Sequence, residues 1–301
     1  MAQGMKELRR RIRGISSIQK ITRAMEMVAT TRLRRAQARA EAARPFADVI
    51  RNLSAMLAGR GAKLTSPLME ARPQVKRIAV VVIGSDRGLC GAYNSHVYRR
   101  LSAFLDERPG IPLDLHVFGK KPRQHYARRL AIKVAYDDEV EELTYRRGRE
   151  VAGQLTAAFL VGEIDEVWVV YTRFVSAGKQ VPTVERLLPI TPDAPAEKTG
   201  AKAKEKSVVA AASAAASLTL LEPSPQELFE LLVPKSLALR LYAAFIDAIA
   251  SEQAQRRMAM KAATDAAGDM ITSLSRKYNR ARQESITKEL LDIVGGAEAL
   301  K

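Results

Sequence analysis

The chain has 301 residues, of which 47% are hydrophobic, 27% charged and 5% aromatic, and its formal net charge is +16. It is long enough to bury a domain core, and its low aromatic content favours long helices over an aromatic-rich β domain. A single cysteine, Cys90, excludes an intrachain disulfide and predicts a reducing compartment. No apolar signal region follows the N-terminus, and no stretch reaches the roughly 18 apolar residues that cross a bilayer. We therefore expect peripheral membrane association at most, without direct lipid insertion.

The excess positive charge is concentrated at the N-terminal end. Residues 1–60 contain 14 Lys and Arg against 4 Asp and Glu, a net charge of +10. The electrostatic field of this charge attracts an acidic partner. The alternative interpretation is that these charges lie on a solvent-exposed helix face and bind no partner. We expect no nucleic-acid partner, because this segment has one aromatic residue, Phe46, and no recognisable DNA-binding motif.

Both ends of the chain are predicted to form long helices. Apolar residues recur at steps of three and four from Met5 onward, which predicts a helix from about residue 4 to about residue 57, with a bend tolerated at Pro45. The C-terminal segment has the same spacing and no proline after Pro234. The repeat is close to 3.5 residues, so we predict that the two helices pair as an antiparallel coiled coil. The predicted stripe of the N-terminal helix consists of Leu8, Ile12, Ile15, Ile18, Met25, Val28, Leu33 and Ala36.

In the middle of the chain the sequence pattern changes, and predicted strands alternate with predicted helices. Continuous β-branched runs predict buried strands at Arg77–Ile83, Leu113–Phe118 and Val167–Tyr171. Helical patterns lie between or beside them, at Tyr93–Glu107, Pro122–Arg129 and Gly148–Leu160. The predicted fold class is therefore α/β: a coiled coil formed by residues 1–60 and 225–301, with an inserted Rossmann-like domain at 75–222. Residues 194–217 are rich in Ala and Lys and are interpreted as a low-complexity solvated loop.

The loop Gly84–Gly91 follows the first predicted strand, where phosphate-binding loops lie in α/β folds. Its spacing is neither GxGxxG nor that of the P-loop, so a tight backbone turn or a protein contact is the favoured interpretation over a nucleotide site. Cys90 and the histidines His96, His116 and His125 do not form a recognisable catalytic pattern, and we expect structural roles for them. No spacing typical of metal ligands is present, so we expect no cofactor and no metal.

Four segments carry a resemblance to a known family. They are QKITRAMEMVATTRLRRAQ at Gln19–Gln37, SDRGLCGAYN at Ser85–Asn94, QVPTVERLLP at Gln180–Pro189, and the stretch Ser251–Ala297, which includes NRARQESITKELLDIVGGA. Together they resemble the gamma subunit of bacterial F-type ATP synthases. Chloroplast members of that family carry a regulatory cysteine pair, which a chain with one cysteine should lack.

The resemblance implies a non-catalytic rotor subunit of a complex that couples proton or sodium translocation to ATP synthesis or hydrolysis. It implies as partners the alpha and beta subunits of the catalytic hexamer, the epsilon subunit and the membrane ring of c subunits, at the cytoplasmic face of the bacterial inner membrane. An acidic beta lever would attract the basic N-terminal helix. By similarity, the residues that contact alpha and beta are Met25, Arg87, Cys90, Arg282, Gln283, Thr287 and Glu289. For Met25, a place in the coiled-coil seam is equally compatible with the spacing. By the same similarity, Leu290–Leu300 would run in an apolar sleeve.

Overall fold

The computed structural model describes residues 2–59, 66–190 and 225–298, so the predicted loop at 194–217 lies outside the described residues. The terminal helices are α1 (Ala2–Gly59) and α5 (Pro225–Glu298), with Pro45 and Pro234 inside them. The chain divides into two compact units: Met1–Thr31 with Arg256–Lys301, and Arg32–Gln255. Each long helix contributes to both units. The predicted pair of long terminal helices is confirmed, whereas the domain boundaries stay a prediction.

The larger unit contains a five-stranded sheet. Its strands are β1 (Ile78–Ile83), β2 (Leu113–Phe118), β3 (Ile132–Tyr136), β4 (Glu166–Ser176) and β5 (Lys179–Leu188), and its helices are α2 (Tyr93–Asp106), α3 (Lys120–Tyr126) and α4 (Tyr145–Val161). The strand order is β3-β2-β1-β4-β5, with β1 to β4 parallel and β5 antiparallel to β4. This is the predicted Rossmann-like arrangement. Strand β1 has β2 on one side and β4 on the other, and α2 and α4 cover opposite faces of the sheet. The loop after β1 therefore lies at the topological switch point, where open α/β sheets usually bind ligands.

The central strand β1 is buried on both faces of the sheet. Its odd-numbered side chains, such as Val81 and Ile83, join a core with α4 and with parts of α1 and α5. Its even-numbered side chains, such as Val80 and Val82, join a second core with α2 and α3. Because successive side chains of a strand point to opposite faces, a continuous apolar run is what a strand between two helical layers requires.

Polar contacts add to this core where a single turn of 3-10 helix, Val140–Glu142, meets the long helices. The Glu141 carboxylate accepts hydrogen bonds from Arg32 of α1 and, at 2.7 Å, from the Gln253 amide of α5. Arg39 donates to the Glu141 carbonyl oxygen at 2.9 Å. One acidic residue thus links both helices to the α/β domain within the larger unit.

In the smaller unit, α1 and α5 pair antiparallel. Thr22 Oγ1 lies 2.8 Å from Thr264 Oγ1, and Gln19 Nε2 lies 3.4 Å from the Thr264 carbonyl oxygen. On α5, Met260 and Ala267 are buried. Seven residues separate these two side chains, which is the heptad spacing expected of a coiled coil.

The predicted seam of α1 is wrong over one stretch. Ile18 and Val28 were assigned to it, but their side chains are 55% and 51% exposed. The buried positions over this stretch are Thr22 and Ala29, and Gln19 is half-buried. The helix therefore buries small or polar residues against α5 and presents a second, apolar stripe outward. Counting apolar residues alone assigned the stripe to the wrong face.

Candidate partner-binding site

The loop between β1 and α2 is held by a dense set of hydrogen bonds. Asn94, in the first turn of α2, accepts from the Ser85 backbone N–H through Oδ1 at 3.1 Å and donates to Ser85 Oγ through Nδ2 at 2.7 Å. Ser85 Oγ in turn donates to the Arg87 carbonyl oxygen at 2.9 Å. These bonds fix the start of the loop relative to the helix that follows it.

Asp86 connects this loop to two neighbouring loops. Its carboxylate accepts from the backbone N–H of Lys120, at the start of α3, at 3.1 Å. The second oxygen accepts from the backbone N–H of Val140, at the start of the 3-10 helix, at 2.8 Å. Both oxygens therefore hold backbone groups at the carboxyl edge of the sheet, and the loop has a rigid base.

Two glycines permit the close approach of these loops. A Cβ on Gly84 would lie 2.7 Å from the Pro122 ring, and Gly119, at φ 100°, lies so close that a Cβ would be 3.0 Å from the Gly84 carbonyl. A side chain at either position would push the two loops apart. The sequence predicted a tight backbone turn or a protein contact here, and the first of these is what the structure contains.

The loop presents Arg87, Gly88 and Leu89 to solvent, whereas the Cys90 side chain is 2% exposed. The Cys90 sulfur lies 3.7 Å from Ser85 Oγ and accepts from Asn94 Nδ2 at 3.6 Å, within the core under α2. Leu89 has φ 63°, the only positive value among the non-glycine residues of the described chain. Sequence reasoning singled out Arg87 and Cys90 in this loop and missed Leu89, because a leucine gives no signal of a left-handed backbone.

The three histidines lie in separate surroundings. His116 is buried and its Nδ1 lies 3.1 Å from the Tyr136 hydroxyl, while the His125 ring stacks on Tyr98 at 4.0 Å. Burial lowers the pKa of both His116 and His125, with Lys133 and Arg129 respectively acting in the same direction. His96 is half-buried on α2. Within residues 2–59, 66–190 and 225–298, no group of His, Cys, Asp and Glu side chains is arranged to hold a metal ion.

Met25 lies at the border of two faces of α1. Its side chain is half-buried, and it is spaced by four residues from Ile21 and by three from Val28, both of which are exposed. On a helix these spacings put the three side chains on one side. Met25 therefore adjoins the outward apolar stripe of the smaller unit, and its contact with a partner stays a prediction.

The other predicted contact residues lie together near the end of α5. Arg282, Gln283, Thr287 and Glu289 are all exposed, and the Ser285 hydroxyl donates to Glu289 Oε1 at 3.4 Å. Thr22 lies opposite Thr264, so an antiparallel pairing places Ala2 opposite roughly residue 284 of α5. The last turns of α5 thus extend past the first described residue of α1. Their exposed side chains include five large apolar ones: Ile286, Leu290, Leu291, Ile293 and Val294.

A bilayer-spanning segment is not found among the described helices, none of which is sufficiently long and apolar. The long amphipathic surfaces of α1 and α5 instead show their apolar residues in stripes and patches beside charged ones. Exposed apolar patches of this kind mark sites of contact with other macromolecules.

Comparison with known proteins agrees with this picture. The model of the family described as ATP synthase matches residues 4–300. The chain is 41% identical to the ATP synthase gamma chain of Mycolicibacterium smegmatis, over 100% of this chain and 99% of that one. Its fold is similar to a chain of the Euglena gracilis mitochondrial ATP synthase, with a TM-score of 0.63 and 18% identity over 100% of this chain and 95% of that chain. A chain of the Tetrahymena thermophila enzyme, from a structure of its central stalk and c ring, gives a TM-score of 0.56 at 22% identity, over 81% of this chain and 99% of that one.

Proposed function

Because the chain belongs to the ATP synthase gamma chain family, we propose that it is the central rotor shaft of a proton- or sodium-translocating F-type ATP synthase. In this role it couples rotation of the membrane ring to conformational change in the alpha and beta subunits, and it has no catalytic residues of its own. The observation that carries the proposal is the pairing of α1 and α5 in the smaller unit, with an apolar stripe left on the outside of α1.

A shaft must be stiff, and it must present different surfaces to partners arranged around it. The seam meets the first requirement by pairing two continuous helices through Thr22 and Thr264. The outward stripe meets the second, because Ile18, Ile21 and Val28 cover only one side of α1. Rotation of such a surface inside a ring of beta subunits offers each subunit a different contact in turn, which shifts its conformational equilibrium.

The partner contacts of the proposal are assigned to three regions. Met25 and the β1–α2 loop are assigned to the beta lever. In that loop the exposed Arg87 makes the contact, whereas Cys90, predicted as a contact residue, is buried under α2 and supports the loop from inside. Arg282, Gln283, Thr287 and Glu289 contact the alpha and beta subunits, and their exposure on α5 supports this assignment. The α/β domain contacts the epsilon subunit and the c ring. The chain then lies at the cytoplasmic face of the bacterial inner membrane, as a peripheral component.

Reconstitution tests this function. Alpha and beta subunits of the same organism are purified with and without this chain, and we expect steady ATPase activity only in the complex that contains it. Failure to recover a complex whose ATPase depends on the chain would refute the rotor.

A crosslink tests whether rotation is required. A Met25→Cys variant in a Cys90→Ser background, joined to beta by a short reagent, should stop turnover while nucleotide binding persists. The same variant without the reagent is the control. Continued turnover of the crosslinked complex contradicts the assigned contact of Met25.

A further inference from the structure

We propose that Glu185 of β5, through its hydrogen bonds with Arg240 of α5, keeps α5 from rolling on the sheet when the rotor works against a load. Glu185 is then a positioning residue of the shaft. The inference rests on the proposed function, because the load is the torque between the membrane ring and the catalytic hexamer. Its basis is the placement of polar contacts on both flanks of the apolar face of α5.

Arg240 binds β5 through three hydrogen bonds. Its Nε and Nη2 donate to Glu185 Oε1 at 3.1 and 2.7 Å, and Nη2 also donates to the Arg186 carbonyl oxygen at 2.6 Å. The side chains of Arg240 and Glu185 are 27% and 35% exposed, so solvent screens the ion pair only in part. The guanidinium therefore holds α5 to the edge strand in a defined orientation.

Tyr171 of β4 fixes the orientation of the Glu185 carboxylate. Its hydroxyl donates to Glu185 Oε2 at 3.0 Å. Burial raises the pKa of Tyr171, and the carboxylates of Glu185 and Asp247 act in the same direction, while Arg173 opposes them. The hydroxyl therefore stays protonated and remains a donor, and one carboxylate connects α5 with two strands.

Polar contacts also lie on the other flank of α5. Gln253 Nε2 donates to Glu141 Oε1 at 2.7 Å, and the same carboxylate accepts from Arg32. At about 100° per residue, Arg240 and Gln253 lie roughly 140° apart around the helix, on its two flanks. The apolar side chains that face the sheet lie between these flanks: Leu237, Leu241, Phe245 and Ala248.

The polar contacts resist rolling of the helix more strongly than the apolar contacts between them. Hydrophobic burial is non-directional and depends on buried area, which a small rotation of a helix changes little. A hydrogen bond, by contrast, weakens steeply when its distance or angle departs from the optimum. Rolling moves one flank of α5 toward the sheet and the other away from it. It therefore strains the Glu185–Arg240 and Glu141–Gln253 contacts together, in either direction of rotation.

This contact between α5 and the sheet lies on the path of the torque. The α/β domain is the part assigned to the epsilon subunit and the c ring, and α5 continues from the larger unit into the smaller one. Rolling of α5 on the sheet would add an elastic angle between ring and hexamer. Loss of the Glu185 contact should therefore soften the rotor and leave the surfaces assigned to alpha and beta unchanged.

Angular fluctuations of single complexes measure this stiffness. The complex is held through beta and stalled with a non-hydrolysable ATP analogue, and a bead is attached at Ser102→Cys of α2 or at Ala243→Cys of α5, both exposed positions, in a Cys90→Ser background. The difference between the two angular variances reports motion of the domain on α5. We expect Glu185→Ala to raise this difference roughly twofold, because one of two flanking contacts is lost and variance is inverse to stiffness. Glu185→Gln, which still offers an acceptor oxygen, should raise it less.

Glu166→Ala is the matched control. Glu166 accepts from Trp168 Nε1 at 2.8 Å and lies 4.0 Å from Arg186, so these contacts join β4 and β5 and do not involve α5. Both alanine variants should lower the midpoint of thermal unfolding, but only Glu185→Ala should change the variance. An unchanged variance in Glu185→Ala, or an equal increase in Glu166→Ala, overturns the proposal.

A distance measurement on the chain alone separates this inference from the rotor. Nitroxide labels are attached at Ser102→Cys and Ala243→Cys in the Cys90→Ser background, and their distance distribution is measured by pulsed electron paramagnetic resonance. We expect Glu185→Ala to broaden the distribution and Glu166→Ala to leave it unchanged. An unchanged width in Glu185→Ala overturns the proposal. A wild-type complex that does not rotate, together with this broadening, would refute the rotor and retain Glu185 as the residue that positions α5.

Discussion

Thr22 Oγ1 lies 2.8 Å from Thr264 Oγ1, so the seam between α1 and α5 carries a pair of hydroxyl groups where a coiled coil usually carries two apolar side chains. Thr22 Oγ1 also lies 3.1 Å from the Gln19 carbonyl oxygen, and Thr264 Oγ1 lies 2.8 Å from that of Met260. Each hydroxyl has one hydrogen, so only two of these three contacts are hydrogen bonds at any moment. The shorter distance favours donation from Thr264 to Met260, which leaves Thr22 to donate to Thr264.

This shared hydrogen predicts that the two threonines are energetically coupled. We expect Thr22→Val and Thr264→Val each to lower the free energy of unfolding by about 1 kcal/mol, the net value of one hydrogen bond. The double variant should lose about as much as either single variant, because valine keeps the shape and both polar partners are gone. Urea unfolding of the wild type, the two single variants and the double variant, followed by the helical circular dichroism signal, measures the four free energies of this double-mutant cycle.

Thr272→Val is the matched control for the threonine pair. Thr272 is exposed on α5, and its hydroxyl donates to the carbonyl oxygen of Gly268 four residues earlier. We expect a change below about 0.5 kcal/mol for this surface position. Strictly additive losses at positions 22 and 264 would contradict the shared hydrogen bond.

The Asp86 carboxylate should be a main determinant of loop stability. Asp86→Ala removes the acceptor of two backbone N–H groups, so we expect a loss of about 2 kcal/mol, and Asp86→Asn, which keeps one acceptor oxygen, should lose about half as much. Asp137→Ala is the control, because Asp137 lies at the same edge of the sheet in an exposed ion pair with Arg123, which contributes little. Equal effects of Asp86→Ala and Asp137→Ala in chemical unfolding would exclude the assigned role.

Glu141 should matter more to stability than its exposed neighbour Glu142. Its removal leaves Arg32 and the fully buried Gln253 without the carboxylate that both contact. We expect Glu141→Ala to cost about 2–3 kcal/mol and Glu141→Gln less, since an amide still offers one acceptor. Glu142→Ala should change the free energy of unfolding by less than about 0.5 kcal/mol. A larger effect at position 142 than at 141 would show that the polar link to α1 and α5 is dispensable.

The sequence predicted the elements that have a strong local pattern. Strand β1 is a continuous apolar run, β2 has apolar residues at four of its six positions, and both long helices repeat their apolar residues over many turns. The two edge strands were missed. In β3, Lys133 interrupts a short run, and β5 contains Pro182, which an edge strand tolerates because one of its sides has no neighbouring strand to receive an N–H.

The candidate site was only partly predictable, for reasons that lie in the tertiary structure. Asp86 binds backbone groups that are 34 and 54 residues away along the chain, so no local pattern could reveal its role. Leu89 has a left-handed backbone angle that leucine rarely adopts, and nothing in the local sequence signals it. The sequence did not indicate that Thr22 lies in the seam, because the exposed apolar residues beside it repeat with the same helical period and were assigned to the seam instead.

The buried His116 gives the folded chain a defined response to acid. Burial is the main cause of its lowered pKa; Lys133 acts in the same direction and Asp114 opposes it. The partner of its Nδ1 is the Tyr136 hydroxyl. This hydroxyl is neutral near and below pH 7.5, because a tyrosine pKa is already far above that pH and burial raises the pKa of Tyr136 to about 12. Neutral His116 is therefore the form that the folded chain prefers.

The direction of the pH effect follows from this preference. An unfolded histidine has a pKa of about 6.5, so the unfolded chain binds the proton first as the pH falls, and protonation favours unfolding. The stability that His116 contributes is present above pH 6.5 and should decrease below it, by at most about 1.4 kcal/mol per pH unit. His116→Asn, whose amide can occupy the place of Nδ1 beside Tyr136, should remove this component. Urea unfolding of both chains at pH 7.5 and 5.5 measures the difference, with His96→Asn on α2 as the control. A difference between wild type and His116→Asn that does not change with pH, or that shifts in favour of the wild type as the pH falls from 7.5 to 5.5, would contradict a neutral buried His116.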